Sequence, residues 1–138
     1  MKVSRVLHAG YIFESLDTRI LFDPVFESLF SVNCYSFPEV DFDNEIIKNL
    51  KITAIFISHI HEDHFSVHSL NLLDKNIPVY IYTQFEEALL IIKRLGFKSV
   101  SCLNLDQPLM INNIEVIARS ALNPEMDCVF EIKCEGLK

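Results

Sequence analysis

The 138-residue sequence has no tryptophan, only three glycines and no apolar run as long as the ~18 residues that a membrane span needs. The scarcity of glycine argues against a flexible linker, and the lack of a long apolar run argues against a transmembrane helix. No basic run is present either. The 19 acidic residues outnumber the 12 basic ones and give a net charge of −7. Phosphate backbones select lysine and arginine, so nucleic acid is not expected as a partner.

The N-terminal sequence has no apolar core of a secretory signal, and the four cysteines have no CxxC spacing. Cys34, Cys102, Cys128 and Cys134 are therefore predicted to be reduced, mostly buried thiols in a cytoplasmic protein.

Half of the residues are hydrophobic and 22% are charged, which excludes a disordered chain. The length fits one domain, because about 100–150 residues is the commonest domain size. We expect a single domain over residues 1–138 with a proper hydrophobic core.

Apolar patterning predicts alternating strands and helices. Continuous apolar runs indicate buried strands at 52–57 and 78–82. Shorter strands are expected at 3–7, 10–15, 19–22, 99–103, 109–111, 115–119 and 128–133. Segment 26–43, which contains Ser28, Ser31 and Pro38, is expected to be a surface loop that could pass over a site. The pattern indicates an α/β (α+β) domain with a mixed sheet.

Three helices are predicted between these strands. Asp43 and Ser66 are candidate N-caps, Thr83 and Glu86 form a candidate capping box, and Gly96 suits a C-cap. The apolar positions expected to face the core are Ile46, Ile47 and Leu50 in the first helix, Val67, Leu70 and Leu73 in the second, and Phe85, Ala88, Leu89 and Ile92 in the third.

Residues 58–64 read Ser-His-Ile-His-Glu-Asp-His and follow a predicted buried strand. In an extended segment residues i and i+2 project to one side, so His59 and His61 could bind one metal ion. Asp63 and His64 follow a turn and could face a second ion, whereas Glu62 is expected to point to solvent. Imidazoles beside a carboxylate suit zinc, iron or manganese. The alternative is a structural loop without metal.

The H-x-H-x-D-H motif after a hydrophobic strand resembles the metallo-β-lactamase superfamily of metallohydrolases. The sequence Arg-Ile-Leu-Phe-Asp-Pro at 19–24 resembles that family's early strand, which ends in an acidic residue. Leu-His-Ala-Gly at 7–10 is similar to the start of its lactonase-like and N-acylphosphatidylethanolamine phospholipase-like members. The likeness covers roughly residues 3–132, which corresponds to the N-terminal half of a four-layer αββα sandwich with helices on one face of a mixed sheet.

The resemblance implies a role for each residue of the motif. His59 and His61 would bind the first metal, and Asp63 and His64 the second. Asp63 would also act in catalysis by orienting the attacking water. Asp23 would hold the loop by hydrogen bonds, and His8 would line the pocket.

The sequence departs from the family pattern downstream, because no histidine follows His68. The family completes its site with a third histidine, a bridging aspartate and a last histidine, and neither of those two histidines has a counterpart here. Ser120 and Asn123 lie near the expected place but are poor zinc ligands. Asp127 is expected to be a solvent-facing strand start, with a carboxylate ligand as the alternative, and His68 could also reach a metal from helical spacing after His64.

The resemblance implies a metal-dependent hydrolase, with one or two zinc ions or with iron or manganese. Metal-bound hydroxide would attack an ester, lactone, amide or phosphoester of a small-molecule substrate. The histidine at position 61 favours hydrolysis over flavodiiron redox chemistry, whose motif has a carboxylate there. Two alternatives stay open: a non-catalytic half-domain that serves association, and a diiron oxygenase-type site.

A half-sandwich is expected to be incomplete or inactive alone and to leave an apolar sheet face uncovered. Three accounts are open: a shortened form of a longer protein, a natural half-domain that pairs with itself or a partner, or a degenerate member of the family. A homodimer or the missing C-terminal half would cover that face.

Overall fold

The computed structural model describes residues 1–30 and 33–134. In order along the chain, the elements are β1 (Lys2–Arg5), β2 (Tyr11–Ser15), β3 (Thr18–Phe22), β4 (Leu29–Phe30), β5 (Cys34–Tyr35), α1 (Asn44–Lys48), β6 (Ala54–Ile57), α2 (Val67–Leu72), β7 (Val79–Ile81), α3 (Glu86–Arg94), β8 (Val100–Cys102), β9 (Pro108–Ile111), β10 (Ile114–Ser120) and β11 (Cys128–Cys134). No helix in the described ranges is long and apolar enough to cross a membrane.

The larger sheet has six strands in the order β1-β2-β3-β6-β7-β8. Its first three strands are antiparallel, and β3, β6, β7 and β8 run parallel. Parallel strands are covered on both faces, so they consist of continuous apolar residues. Strand β6 fits this rule, because all four of its residues are fully buried.

Alternation along β6 divides the core into two clusters. Ile55 and Ile57 pack in a cluster with residues of the helices, whereas Ala54 and Phe56 pack in a cluster with the smaller sheet β9-β10-β11. The layers are therefore helices, a mixed six-stranded sheet and an antiparallel three-stranded sheet. The prediction of a mixed α/β fold with helices on one face of the sheet is confirmed.

The expectation of an uncovered apolar sheet face is wrong for most of that face. The three-stranded sheet covers the central strands of the larger sheet. Its outer side carries charged pairs, since Arg119 contacts Glu131 at 2.6 Å and Lys133 contacts Glu131 at 3.0 Å, and it also exposes Met110 and Val129.

Two of the three predicted helix starts are confirmed. Asp43 accepts a hydrogen bond from the backbone N–H of Glu45 (2.8 Å), and Ser66 accepts one from that of Ser69 (3.1 Å). The capping box at Thr83 does not form. Thr83 lies two residues before the cap and accepts from the N–H of Phe85 (3.0 Å), so α3 begins only at Glu86.

Several side chains are more exposed than predicted. Ile46 and Val67 are exposed because α1 and α2 have five and six residues, too few for a wide apolar stripe, and Phe85 is exposed because it precedes α3. No disulfide links cysteines within residues 1–30 and 33–134, but Cys34 and Cys102 are exposed, contrary to the expectation of burial.

Candidate metal centre

The site lies where two parallel strands end. Phe22 of β3 is in register with Phe56 of β6, and just beyond these residues Asp23 and Ser58 meet at one edge of the larger sheet, where they are hydrogen-bonded. Ligands bind at this edge in open α/β sheets, because the loops that leave the strand ends form a crevice there.

Asp23 organises the loop that follows β6. Its carboxylate accepts hydrogen bonds from the backbone N–H of Ser58 (2.7 Å), from the Ser58 hydroxyl (2.9 Å) and from Nδ1 of His64 (2.8 Å). Asp23 is buried, and its φ of 44° lies in the left-handed region. Strained backbone of this kind concentrates at functional sites.

Three potential ligands converge in front of this carboxylate. His59, Asp63 and His64 each offer one ligand atom, and these atoms all lie within 4.8 Å of one another. A tight turn brings them together, because the backbone N–H groups of His64 and Phe65 both donate to the carbonyl of His61 (2.9 and 2.8 Å). This is the one such group among residues 1–30 and 33–134.

The other residues singled out from the motif lie around this group. His61 is exposed and outside it, with its ring centroid 4.6 Å from that of His59. Glu62 is exposed, as expected. His68 is also exposed and lines a different cavity, together with Phe26 and Phe42.

Hydrogen bonds at Nδ1 leave the Nε2 atoms of two histidines available. Nδ1 of His64 donates to Asp23, and Nδ1 of His59 lies 2.9 Å from the Ser58 hydroxyl oxygen, which can accept its proton. In these tautomers each Nε2 carries a free lone pair, as a metal-bound imidazole requires. Two imidazoles and a carboxylate form a donor set that suits a divalent transition metal.

Burial and charge shift the pKa values within the cluster. Burial, together with the neighbouring His64 and His61, lowers the pKa of His59. For His64 burial acts in the same direction, but the hydrogen bond to Asp23 and the nearby carboxylates outweigh it and raise the pKa. Burial alone would raise the pKa of Asp63, yet His64 and His8 lower it, so this carboxyl is ionised at neutral pH.

His8 reaches the site from the turn between β1 and β2. Its Nε2 lies 3.2 Å from Oδ2 of Asp63, and its ring packs against Phe30 at 4.2 Å between centroids. Gly10 permits this approach, since a Cβ there would lie 3.1 Å from the carbonyl oxygen of Asp23. The segment predicted as loop 26–43 thus touches the site through the short hairpin β4–β5, while Ser31 lies outside the described residues.

A groove of about 470 Å³ opens beside the cluster between the two sheets. His59, His64 and Asp127 lie on its polar side, and Phe22 and Phe130 are on its apolar side. Asp127 is half-buried and not the solvent-facing residue expected, because the N–H of the next residue, Cys128, donates to the carbonyl of Ser58 (3.3 Å). The position of Asp127 directly before a predicted strand was the signal in the sequence that it could lie at the site.

Ser120 and Asn123 do not join the cluster. Ser120 is exposed and its hydroxyl donates to the carbonyl of Ala121 (3.2 Å). Asn123 is exposed, and its carbonyl accepts from the N–H groups of Met126 and Asp127.

Several solved structures share this fold. A possible metal-dependent hydrolase from Veillonella parvula superposes with a TM-score of 0.68 at 18% identity, over 97% of this chain and 58% of that one. CmlA, a diiron β-hydroxylase from Streptomyces venezuelae, gives 0.67 at 20% identity over 97% of this chain and 27% of that one. The metallo-β-lactamase fold protein YhfI from Bacillus subtilis gives 0.59 at 18% identity over 90% and 49%.

This chain thus has the fold of metallo-β-lactamase-type proteins, and it spans less than two thirds of the length of each of these three. No protein-family model matches the sequence, and no curated protein matches it.

Proposed function

We propose that this chain carries the metal-binding part of a hydrolase that uses water to cleave an ester, lactone, amide or phosphoester. The observation that carries this proposal is the convergence of His59, Asp63 and His64 at a strand-end crevice, in a fold shared with metal-dependent hydrolases.

In this proposal Nε2 of His59, Nε2 of His64 and the carboxylate of Asp63 hold a divalent ion. His61, beside His59, is the proposed additional ligand from the solvent side. A bound zinc ion supplies Lewis acidity and lowers the pKa of water to about 7. Asp23 keeps both the Ser58 loop and the His64 ring in place, and such outer partners typically change metal affinity by about 10–100-fold.

Asp63 is the proposed proton acceptor and orienting group for the attacking water. Its lowered pKa keeps the carboxylate ionised, and His8 contacts its Oδ2 atom at 3.2 Å, which helps to hold the carboxylate in place. The apolar side of the groove would hold the non-reacting part of a small-molecule substrate.

Metal analysis of the purified chain tests the proposal. We expect the wild-type chain to retain zinc after dialysis and His64→Gln to lose it. His68→Gln removes a histidine from the same segment but outside the cluster, so this control should retain the metal. Equal metal content in wild type and His64→Gln, or no metal in either, would contradict the proposal. Hydrolysis of 4-nitrophenyl acetate and bis(4-nitrophenyl) phosphate is then measured on the zinc-loaded chain.

The likeness to the diiron hydroxylase CmlA favours a second candidate, an oxygen-activating iron site. The same metal analysis separates the two candidates. Iron retained in preference to zinc, with visible absorption, would favour the oxygenase-type site.

A further inference from the structure

One carboxylate in the groove beside the cluster has no partner within the chain. Asp127 lines the groove and is half-buried, and within residues 1–30 and 33–134 its carboxylate accepts no hydrogen bond and forms no ion pair. Asp23, the other carboxylate of the lining, is already bonded to Ser58 and His64. A partly desolvated charge without a partner is costly, so Asp127 is suited to receive a positive group from outside the chain.

Asp127 does not belong to the proposed metal site. In the described ranges, the one group of three ligand atoms within 4.8 Å of one another is that of His59, Asp63 and His64. The negative charge of Asp127 nevertheless reaches His59 and His64, because it acts on the pKa of each in the raising direction. The carboxylate therefore lies near the metal ligands and stays available to a molecule that occupies the groove.

Four aromatic side chains line the same groove. Tyr11 and Phe13 are alternate residues of β2, and Tyr11 is in register with Phe22 of β3, so the three side chains share one face of the larger sheet. Phe130 of β11 approaches from the smaller sheet, with its ring centroid 5.0 Å from that of Phe22. Tyr11 is 38% exposed, so its ring is accessible to a bound molecule.

The carboxylate and the rings together select a positive charge that carries apolar substituents. Aromatic rings attract cations through the negative charge of their faces, and cages of aromatic side chains are the usual receptors for quaternary ammonium groups. In the part of the chain that the structure describes, no lysine or arginine lines the groove, so no cation of the protein competes for Asp127. The same negative charge disfavours an anionic ligand such as a phosphodiester.

We propose that this groove recognises a substituted ammonium group, with Asp127 facing the positive charge and the rings of Tyr11 and Phe130 beside the alkyl substituents. The groove volume of about 470 Å³ is sufficient for such a group and the rest of a small molecule. If the bound molecule is the substrate of the proposed hydrolase, on which this assignment rests, it is a cationic ester, lactone or amide and not an anionic phosphoester.

NMR titration of the metal-free, ¹⁵N-labelled chain tests the recognition with two probes, choline and its uncharged isostere 3,3-dimethylbutan-1-ol. The probes have the same shape and differ in the charge of the trimethylated atom. We expect choline to bind about tenfold more tightly, with the largest shifts at residues that line the groove. Asp127→Asn should remove this preference by weakening the binding of choline alone. Glu125→Gln, which neutralises an exposed carboxylate two residues away, is the matched control and should keep the preference.

Tyr11→Leu tests the contribution of an aromatic ring. Leucine keeps an apolar contact but has no ring face, so this variant should bind choline about two- to fivefold more weakly and bind the alcohol as wild type does. Circular dichroism verifies that each variant is folded. Equal affinity of the wild-type chain for the two probes, or an unchanged preference in Asp127→Asn, would overturn the proposal.

Metal analysis separates a failure of this recognition site from a failure of the proposed hydrolase. A chain that prefers choline but retains no zinc would support the ammonium site and contradict the metal hydrolase. A chain that retains zinc and cleaves 4-nitrophenyl acetate, yet binds both probes equally, would support the hydrolase and overturn the ammonium site.

Discussion

Replacing Asp23 by asparagine would show whether this residue sets the state of the metal ligands. The two side chains have the same shape, so the packing stays intact and only charge and hydrogen bonding change. The asparagine oxygen can still accept from the N–H of Ser58. The asparagine NH2 group, however, is a hydrogen-bond donor and would face Nδ1–H of His64, which is also a donor. The His64 proton must therefore move to Nε2, so that Nδ1 can accept a hydrogen bond from the amide. An Nε2 atom that carries a proton cannot bind a metal.

The structure sets the magnitude of the effect. The side chain of Asp23 is 9% exposed, and its charge-assisted bond to His64 measures 2.8 Å. Loss of a hydrogen bond to a charged group costs about 1.5–3 kcal/mol, so the free energy of unfolding of the metal-free protein should fall by about 2 kcal/mol. Metal affinity should fall by about 10–100-fold.

The stability loss should also depend on pH. Asp23 raises the pKa of His64 above its ordinary value of 6.5 in the folded state. The stabilisation from this pair is therefore fully present below pH 6.5 and is lost as the pH rises through the higher folded value. Wild type and Asp23→Asn should differ more in stability at about pH 6 than at about pH 9.

Urea denaturation at the two pH values and zinc titration measure both effects. Asp17→Asn, which removes one exposed carboxylate in the turn between β2 and β3, is the matched control. The reasoning is refuted if Asp23→Asn binds zinc as tightly as Asp17→Asn does, since the tautomer of His64 would then not depend on Asp23.

Three further predictions concern packing and reactivity. Phe56→Ala should lower the free energy of unfolding by about 3–5 kcal/mol, because this fully buried ring contacts three other aromatic rings. Phe37→Ala, at a 90% exposed position, is the control and should change it by less than about 0.5 kcal/mol. Urea denaturation measures both values. Burial and the nearby carboxylates raise the pKa of Cys128 to about 12. Iodoacetamide at about pH 8 should therefore alkylate the exposed Cys34 and leave Cys128 unmodified. Mass spectrometry measures the labelling, and equal labelling of the two cysteines would contradict this prediction. Gly10→Ala should destabilise the protein by about 1–3 kcal/mol and reduce zinc retention, because the new Cβ would press on the Asp23 carbonyl. If the variant is as stable as the wild type and retains as much zinc, the turn can shift without cost.

The sequence by itself determined the local elements and the identity of the motif. The continuous apolar run predicted β6, whose residues are buried on both faces, and Asp43 and Ser66 predicted two helix starts. These signals are local, since a cap or an alternating pattern depends on residues within a few positions of one another. The short spacing of His59, His61, Asp63 and His64 likewise indicated a metal site, although the structure groups His59 with Asp63 and His64 and leaves His61 outside that group.

Only the tertiary structure decided which contacts the groups around that motif make. The family resemblance already implied that His8 lines the pocket, but the contact of His8 with Asp63 and the place of Asp127 in the groove beside His59 depend on the fold, because no sequence period links such distant positions. The start of α3 and the exposure of Ile46 also depended on how neighbouring elements pack. Chain topology brought the three-stranded sheet over the face that was expected to be open and left β11 at an edge. Strand order and layer packing arise from long-range contacts, so local sequence patterns could not specify them.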